Sequence, residues 1–371
     1  MINLFSEINL RSHQIKNRVV MPPMVCFGFP VENGRVTEEH ILHYVARAKG
    51  GVGLIIVEAT CVNPTGRLSE KQLGLWSDEQ IGGFSKIATG CHKYGAVVLV
   101  QIHHAGMGVF PGITDDVVSS SNFTGKSRFG GGQILARALT IDEIHNIQKD
   151  FIAAAVRAQK AGLDGIELHG AHGYLISQFL SPLINRRTDA YGGTVTKRVR
   201  FIKEIIAGIR KATGNDFIIG CRIGANEPDL AGALKIAAAI EKSRADLLHV
   251  STGMETLLAS ESDLDFKVPR GFKYNWIVYG GTEIKKKVKV PIIVVNGIRT
   301  PAQANFLIEK GKADFVAIGK GLLVDPTWAN QAEQNLPIVP CIDCKVCAHF
   351  RPGAKCPQTN LKRKLKEKKG N

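Results

Sequence analysis

The chain has 371 residues, is 44% apolar and 22% charged, and carries a formal charge of +15 at pH 7. These values fit a globular protein with a substantial core, and the longest apolar runs, GVGLIIV and AVVLV, are far too short to span a membrane. The basic excess peaks in the tail Lys362–Lys369 (KRKLKEKK), without the interleaved aromatics that stack bases; this argues for a solvated end, or one docking an acidic electron-transfer partner, rather than for a nucleic-acid site.

Short apolar, β-branched runs predict strands at Arg18–Met24, Leu54–Glu58, Val97–Ile102, Gly165–His169, Ile218–Arg222, Leu247–Ser251, Ile292–Asn296 and Phe315–Ile318. Helical patterns follow, at Glu38–Lys49, Asp78–Tyr94, Ile141–Ala161, Thr196–Ala212, Ala231–Lys242 and Pro301–Lys310. Strands apolar on both faces imply parallel pairing under helices. Eight such units predict an α/β fold, a (β/α)8 TIM barrel. A doubly wound sheet would want a G-x-G-x-x-G turn after its first strand, and MPPMVCFGF is not one. The segment Val109–Arg137, rich in Gly and Ser, reads as an irregular loop or lid over the barrel mouth. Residues 1–336 are assigned to the barrel and 337–371 to a C-terminal extension. The opening MINLFSEINLRSHQIKN lacks a signal-peptide core, so a cytoplasmic protein with reduced Cys26, Cys61, Cys91 and Cys221 is expected.

In the extension, Cys341, Cys344, Cys347 and Cys356 form C-x2-C-x2-C-x8-C. Three thiols on one short loop with a fourth to close the set suit an iron–sulfur cluster better than zinc, which usually takes two separated pairs. Such a cluster carries single electrons, so a redox enzyme is expected.

Barrel active sites lie at the C-terminal strand ends, here Met24, Glu58, Gln101, His169, Arg222, Asn296 with Gly297, and Gly319. His169, His172 and Tyr174 crowd one turn; they are either a core or helix-cap group, or donors to a carbonyl oxygen with a phenol that delivers a proton. Arg222 needs an anionic partner: a ligand, or Glu167 or Glu227. Asn296-Gly297 and Gly319-Lys320 follow strands seven and eight, where barrels often bind phosphate. Gln101 can both donate to and accept from a planar heterocycle. Of His103 and His104, one at most faces the site in an extended chain. The remaining histidines, His249 and His349 among them, read as structural.

Together the stretches NRVVMPPM, VEATCVNPTGR, QIHHAG, GIELHGAHGYLISQFLSPLINRRTDAYGG, CRIG, VVNGIRTPAQA and ADFVAIGKGLLVDP resemble the old yellow enzyme family. The cysteine loop matches its clustered subgroup, that of 2,4-dienoyl-CoA reductase and trimethylamine dehydrogenase. The resemblance implies FMN at the barrel mouth, lined by Pro23, Met24 and Ala59. Gln101 would bond the isoalloxazine, Arg222 would face N1 and O2, and Asn296, Gly297, Gly319 and Lys320 would serve the phosphate. His169 and His172 would hold a substrate carbonyl and Tyr174 would be the proton donor to the α-carbon. Cys341, Cys344, Cys347 and Cys356 would hold a [4Fe–4S] cluster.

The implied activity is reduction of the C=C bond of an α,β-unsaturated carbonyl or enoyl-CoA. Its electrons would come from NAD(P)H or a separate reductase, ferredoxin or electron-transferring flavoprotein, since no G-x-G-x-x-G segment is present. Two other readings follow from the same resemblance: an amine dehydrogenase exporting electrons through the cluster, and a non-catalytic electron-transfer subunit. The family also implies a homo-oligomer. The chain departs from it at Lys320 and Met107, where relatives carry arginine, at Val25, often cysteine or threonine, and in its short final cysteine spacing. The stretch Met254–Tyr274 is expected to help shape the pocket.

Overall fold

The eight apolar runs become eight parallel strands closed on themselves in chain order, so no strand edge is left unpaired. This computed structural model describes residues 2–127, 129–130, 132–254, 267–345, 347–351 and 356–358; the predicted basic tail and most of 254–274 lie outside the described residues. An antiparallel hairpin, β1 (Ile8–Leu10) and β2 (His13–Ile15), precedes the barrel. The barrel strands are β3 (Val19–Met21), β4 (Leu54–Cys61), β5 (Val97–His103), β9 (Gly165–Gly170), β10 (Ile218–Gly224), β11 (Leu247–Ser251), β12 (Ile292–Val294) and β13 (Phe315–Ala317).

Helices α1 (Glu38–Lys49), α2 (Ile81–His92), α3 (Ile141–Lys160), α5 (Val195–Thr213), α6 (Leu230–Lys242), α7 (Trp276–Lys287) and α8 (Pro301–Glu309) follow successive strands, with the short α4 (Leu175–Leu180), α9 (Lys320–Val324) and α10 (Trp328–Glu333). Their buried faces form one core with the outward strand residues, such as Ile55, Val98, Ile166 and Ile219. The strand residues of opposite parity, such as Leu54, Leu99, Ile218, Leu247 and Ile293, fill the lower barrel, and Leu10 and Ile15 of the hairpin pack onto them. None of the described helices is long and apolar enough to cross a membrane.

The structure corrects several expected boundaries. Strand one stops at Met21 because Pro22 and Pro23 have no N–H for a ladder. Strand seven stops at Val294, and Asn296 has turned to φ +92°. Segment Val109–Arg137 is not wholly irregular: β6 (Val118–Ser119), β7 (Phe123–Lys126) and β8 (Gln133–Ala138) form their own sheet in the order β6-β8-β7. Helices α4, α7, α9 and α10 were not foreseen. In α7, Gly280 and Gly281 weaken the propensity signal, while Asn275 accepts from the Val278 N–H and caps its start.

Candidate active site at the barrel mouth

Along β5, β9, β10 and β11 the inward positions turn from apolar to polar toward the C-terminal end. Gln101 Nε2 donates to Glu167 Oε1 at 2.6 Å, and Glu167 Oε2 is 2.8 Å from His249 Nδ1, all three residues being buried. Arg222 is in register with His169 on one side and His249 on the other. His249, expected to be structural, is thus part of a buried polar layer beneath the mouth.

A cavity of about 400 Å³ opens there. Of the expected cofactor residues, Pro23, Met24, Arg222, Asn296, Gly297, Gly319 and Lys320 line it, and so does His172. Ala59, Gln101, His169 and Tyr174 are buried and do not line it. His169 meets it through His172, the ring centroids being 5.0 Å apart.

The Arg222 guanidinium is buried, which lowers its pKa to about 10. Neither proposed carboxylate pairs with it: Glu167 is bound to Gln101 and His249, and Glu227 accepts from Ser177 Oγ at 2.8 Å. Its Nη2 donates to Ser251 Oγ at 3.1 Å, and Nε has no hydrogen-bond partner. A buried cation with spare donors on a cavity wall is a site for an anionic or electron-rich ligand edge.

His172 sits at φ +58° and Gly173 at φ +71°. Left-handed geometry is unusual for histidine and is held here by its N–H to Thr252 O at 3.0 Å. The turn places His172 Nε2 2.7 Å from Ser251 Oγ, so one hydroxyl joins His172 and Arg222. His103, His169 and Tyr174 complete a ring group, with centroids 4.4 Å (His103–Tyr174), 4.8 Å (His169–Tyr174) and 5.5 Å (His103–His169) apart. Burial, reinforced by His172, His103 and Arg222, holds His169 well below its ordinary pKa. It is therefore a neutral imidazole, and its Nδ1 is buried with no hydrogen-bond partner. A neutral imidazole can donate one hydrogen bond to a carbonyl oxygen without moving a net charge.

As the alternation required, His103 and His104 part company. His104 turns away, accepts from the Gly106 N–H at 3.0 Å, and is lowered to about 4 by burial. Glu58, expected at the mouth, instead accepts from Tyr44 of α1 and from the Cys26 N–H, each at 3.0 Å. The β4–β5 register shifts between Val57 and Thr60 beside it.

Cys341, Cys344, Cys347 and Cys356 line one small pocket of about 20 Å³, packed against Leu323 and Val324. All four are free and partly buried, although no described group of three or more His, Cys, Asp or Glu side chains is set for a metal ion. His349 lines the same pocket with Nε2 unpartnered, which its lone position in sequence did not signal. Sequence reasoning also missed Ser251, Arg299 and Asp343 on the large cavity. The signal for Arg299 was present in Asn296-Gly297-Ile298-Arg299, where a cation follows the turn after strand seven.

A model of the NADH:flavin oxidoreductase / NADH oxidase family matches residues 3–338. The chain is 44% identical over 356 residues to an NADH oxidase of Thermoanaerobacter brockii, covering 93% of this chain and 53% of that protein. It therefore spans about half the length of that relative. An NADPH dehydrogenase of Bacillus subtilis is 33% identical over 338 residues, 90% of this chain and 95% of that protein. Among solved structures, a 2-naphthoyl-CoA reductase in complex with 2-naphthoyl-CoA superposes with a TM-score of 0.84 at 25% identity, over 97% of this chain and 57% of that one. Morphinone reductase in complex with tetrahydroNAD gives 0.78 at 26% identity, over 97% of both chains.

Proposed function

Since the chain belongs to the NADH:flavin oxidoreductase / NADH oxidase family, we propose that this flavin-dependent oxidoreductase reduces the C=C bond of an α,β-unsaturated carbonyl, with FMN at the barrel mouth. Arg222 carries the reading. A buried guanidinium with no hydrogen-bonded carboxylate, on the wall of a cavity that also holds Gly297, Gly319 and Lys320, fits a flavin ring edge at one end and a phosphate at the other.

Bound FMN would supply the hydride for the β-carbon. The chain's own residues do the rest. His172, on the cavity wall, donates a hydrogen bond to the carbonyl oxygen and stabilises the charge that develops on it, and His169, its buried ring neighbour at 5.0 Å, adds a second donor only to a substrate that enters beyond that wall. Tyr174, in edge contact with His103 and His169, holds the proton that the α-carbon receives. The four cysteines would hold a [4Fe–4S] cluster, a carrier of single electrons. Four sulfurs on one pocket against aliphatic side chains, with the Asp343 N–H donating to Cys341 Sγ at 3.4 Å, support that assignment. NAD(P)H, a separate reductase, a ferredoxin or an electron-transferring flavoprotein would supply the electrons. The neighbour bound to 2-naphthoyl-CoA favours a conjugated thioester as substrate class.

An amine substrate would call for an aromatic cage. Phe27, Phe110 and Phe129 pack on one another instead, at 5.8 Å (Phe27–Phe110) and 4.2 Å (Phe110–Phe129).

Anaerobic assay of the flavin- and iron-reconstituted protein with cyclohexenone and an enoyl-CoA tests the reading. Reduced flavin should be reoxidised by at least one alkene, and His172→Ala should weaken phenol binding to the oxidised form. Flavin that reduces but is never reoxidised by an activated alkene overturns it.

A further inference from the structure

Two cations line the phosphate side of the cavity, Arg299 after β12 and Lys320 after β13, and one carboxylate from the cysteine loop holds both. That carboxylate is Asp343, between Cys341 and Cys344. It sits at φ +49°, a left-handed conformation that aspartate tolerates better than most residues. Its Oδ1 accepts from Lys320 Nζ at 2.9 Å and its Oδ2 accepts from Arg299 Nη2. Its backbone N–H donates to Cys341 Sγ at 3.4 Å. Lys320 and Cys341 line both the large cavity and the thiol pocket. One residue therefore touches a thiol through its main chain and both cations through its side chain.

The Arg299 and Lys320 side chains are 56% and 55% exposed. Ion pairs that open to water are weak, because ordering two long side chains offsets most of the attraction. A phosphate that fixes the same side chains has already met that ordering cost, so the carboxylate is then held more firmly. Lysine has three donors and arginine five, enough to serve a phosphate oxygen and Asp343 together. Repulsion between the two anions opposes this. The cavity, however, is formed with Asp343 already on its wall, so the phosphate need not displace it.

We propose that Asp343 is a positioning residue that couples occupation of the phosphate site to the ordering of the cysteine loop. The inference rests on the FMN reading above. By reciprocity, a docked loop strengthens FMN binding by the same factor.

Hydrogen–deuterium exchange of segment 340–345 in the full chain tests this, with FMN, with riboflavin, and with neither. FMN is expected to slow exchange there by about fivefold to tenfold. Riboflavin, which has no phosphate, is expected to leave it unchanged. Asp343→Asn should lose the protection and, by the same reciprocity, bind FMN more weakly by up to about fivefold to tenfold. The coupling is overturned if bound FMN gives no protection, if riboflavin protects equally, or if the protection survives in Asp343→Asn. A chain that takes up no FMN at all sinks the functional reading itself.

Discussion

Glu58 and Glu227 are carboxyls sealed inside the protein, and desolvation pushes both up to about 7. An unfolded glutamate titrates near 4.3. Between those values the folded chain keeps protons that the unfolded chain has lost, so stability falls as pH rises, by at most ~1.4 kcal/mol per pH unit for each carboxyl, and levels off above about 7. Buried His104 and His169, whose pKa values are lowered, act in the opposite sense below about 6.5, so the Glu58 contribution is read as the difference between native and Glu58→Gln urea midpoints at pH 5, 6, 7 and 8, where the advantage of the native chain should shrink as pH rises. A difference that does not change with pH would remove Glu58 from the account. Arg222 makes the opposite case, a buried charge whose proposed partner is FMN. Arg222→Met removes charge-assisted bonds each worth ~1.5–3 kcal/mol, so FMN affinity should fall by about tenfold to a hundredfold. Quenching of flavin fluorescence on titration measures it. At this scale the H-G-A-H-G-Y turn and the strand-end arginine were legible because short motifs carry them. Ser251 and Asp343 were not, because nothing in their local sequence tells which residues three-dimensional closure will bring to one cavity, whereas Arg299 was overlooked although it follows the Asn296-Gly297 turn.

An amphipathic helix and a fully buried strand were readable from periodicity: α1 runs over the expected Glu38–Lys49, and β11 over Leu247–Ser251. The sheet of β6, β7 and β8 was not, because its strands are short and half exposed, among glycines and serines that read as loop. How elements dock was also hidden. Gly50 ends α1 where a Cβ would come within 1.7 Å of Pro326 O, and its own carbonyl accepts from the Asn330 N–H of α10 at 3.0 Å. This contact joins the first βα unit to the last. Gly50→Ala meets backbone that cannot swing aside, so a loss of about 3 kcal/mol in urea denaturation is expected. A variant as stable as the native chain would show that α10 can shift at no cost.

For the whole molecule, closure of eight strands follows from eight apolar runs alternating with helices, and that much the pattern alone supports. The joining of the two candidate cofactor sites does not follow from it, since Lys320 and Cys341 share a wall across 20 residues of intervening chain. The cysteine pocket lies outside the closed barrel and contributes little to its core. Cys344→Ser should therefore abolish iron binding and leave far-UV circular dichroism unchanged, with a melting temperature within about 3 °C of native. Collapse of the barrel signal in that variant would mean that the cysteine loop helps hold the fold.

Among the described residues the β6-β8-β7 ladder pairs only its own three strands, and it enters the chain as one continuous insertion between β5 and α3, tied to the barrel by Arg187 donating to the Ser120 and Leu139 carbonyls and by Arg137 donating to Glu143. It is thus a cassette. Its replacement can retune which molecules reach the rings of His103, His169 and Tyr174 while the cationic half of the mouth, built from the last strands and the cysteine loop, stays as it is. Chimeras that exchange residues 109–139 among homologues should inherit the donor's substrate preference and the recipient's grip on its prosthetic groups.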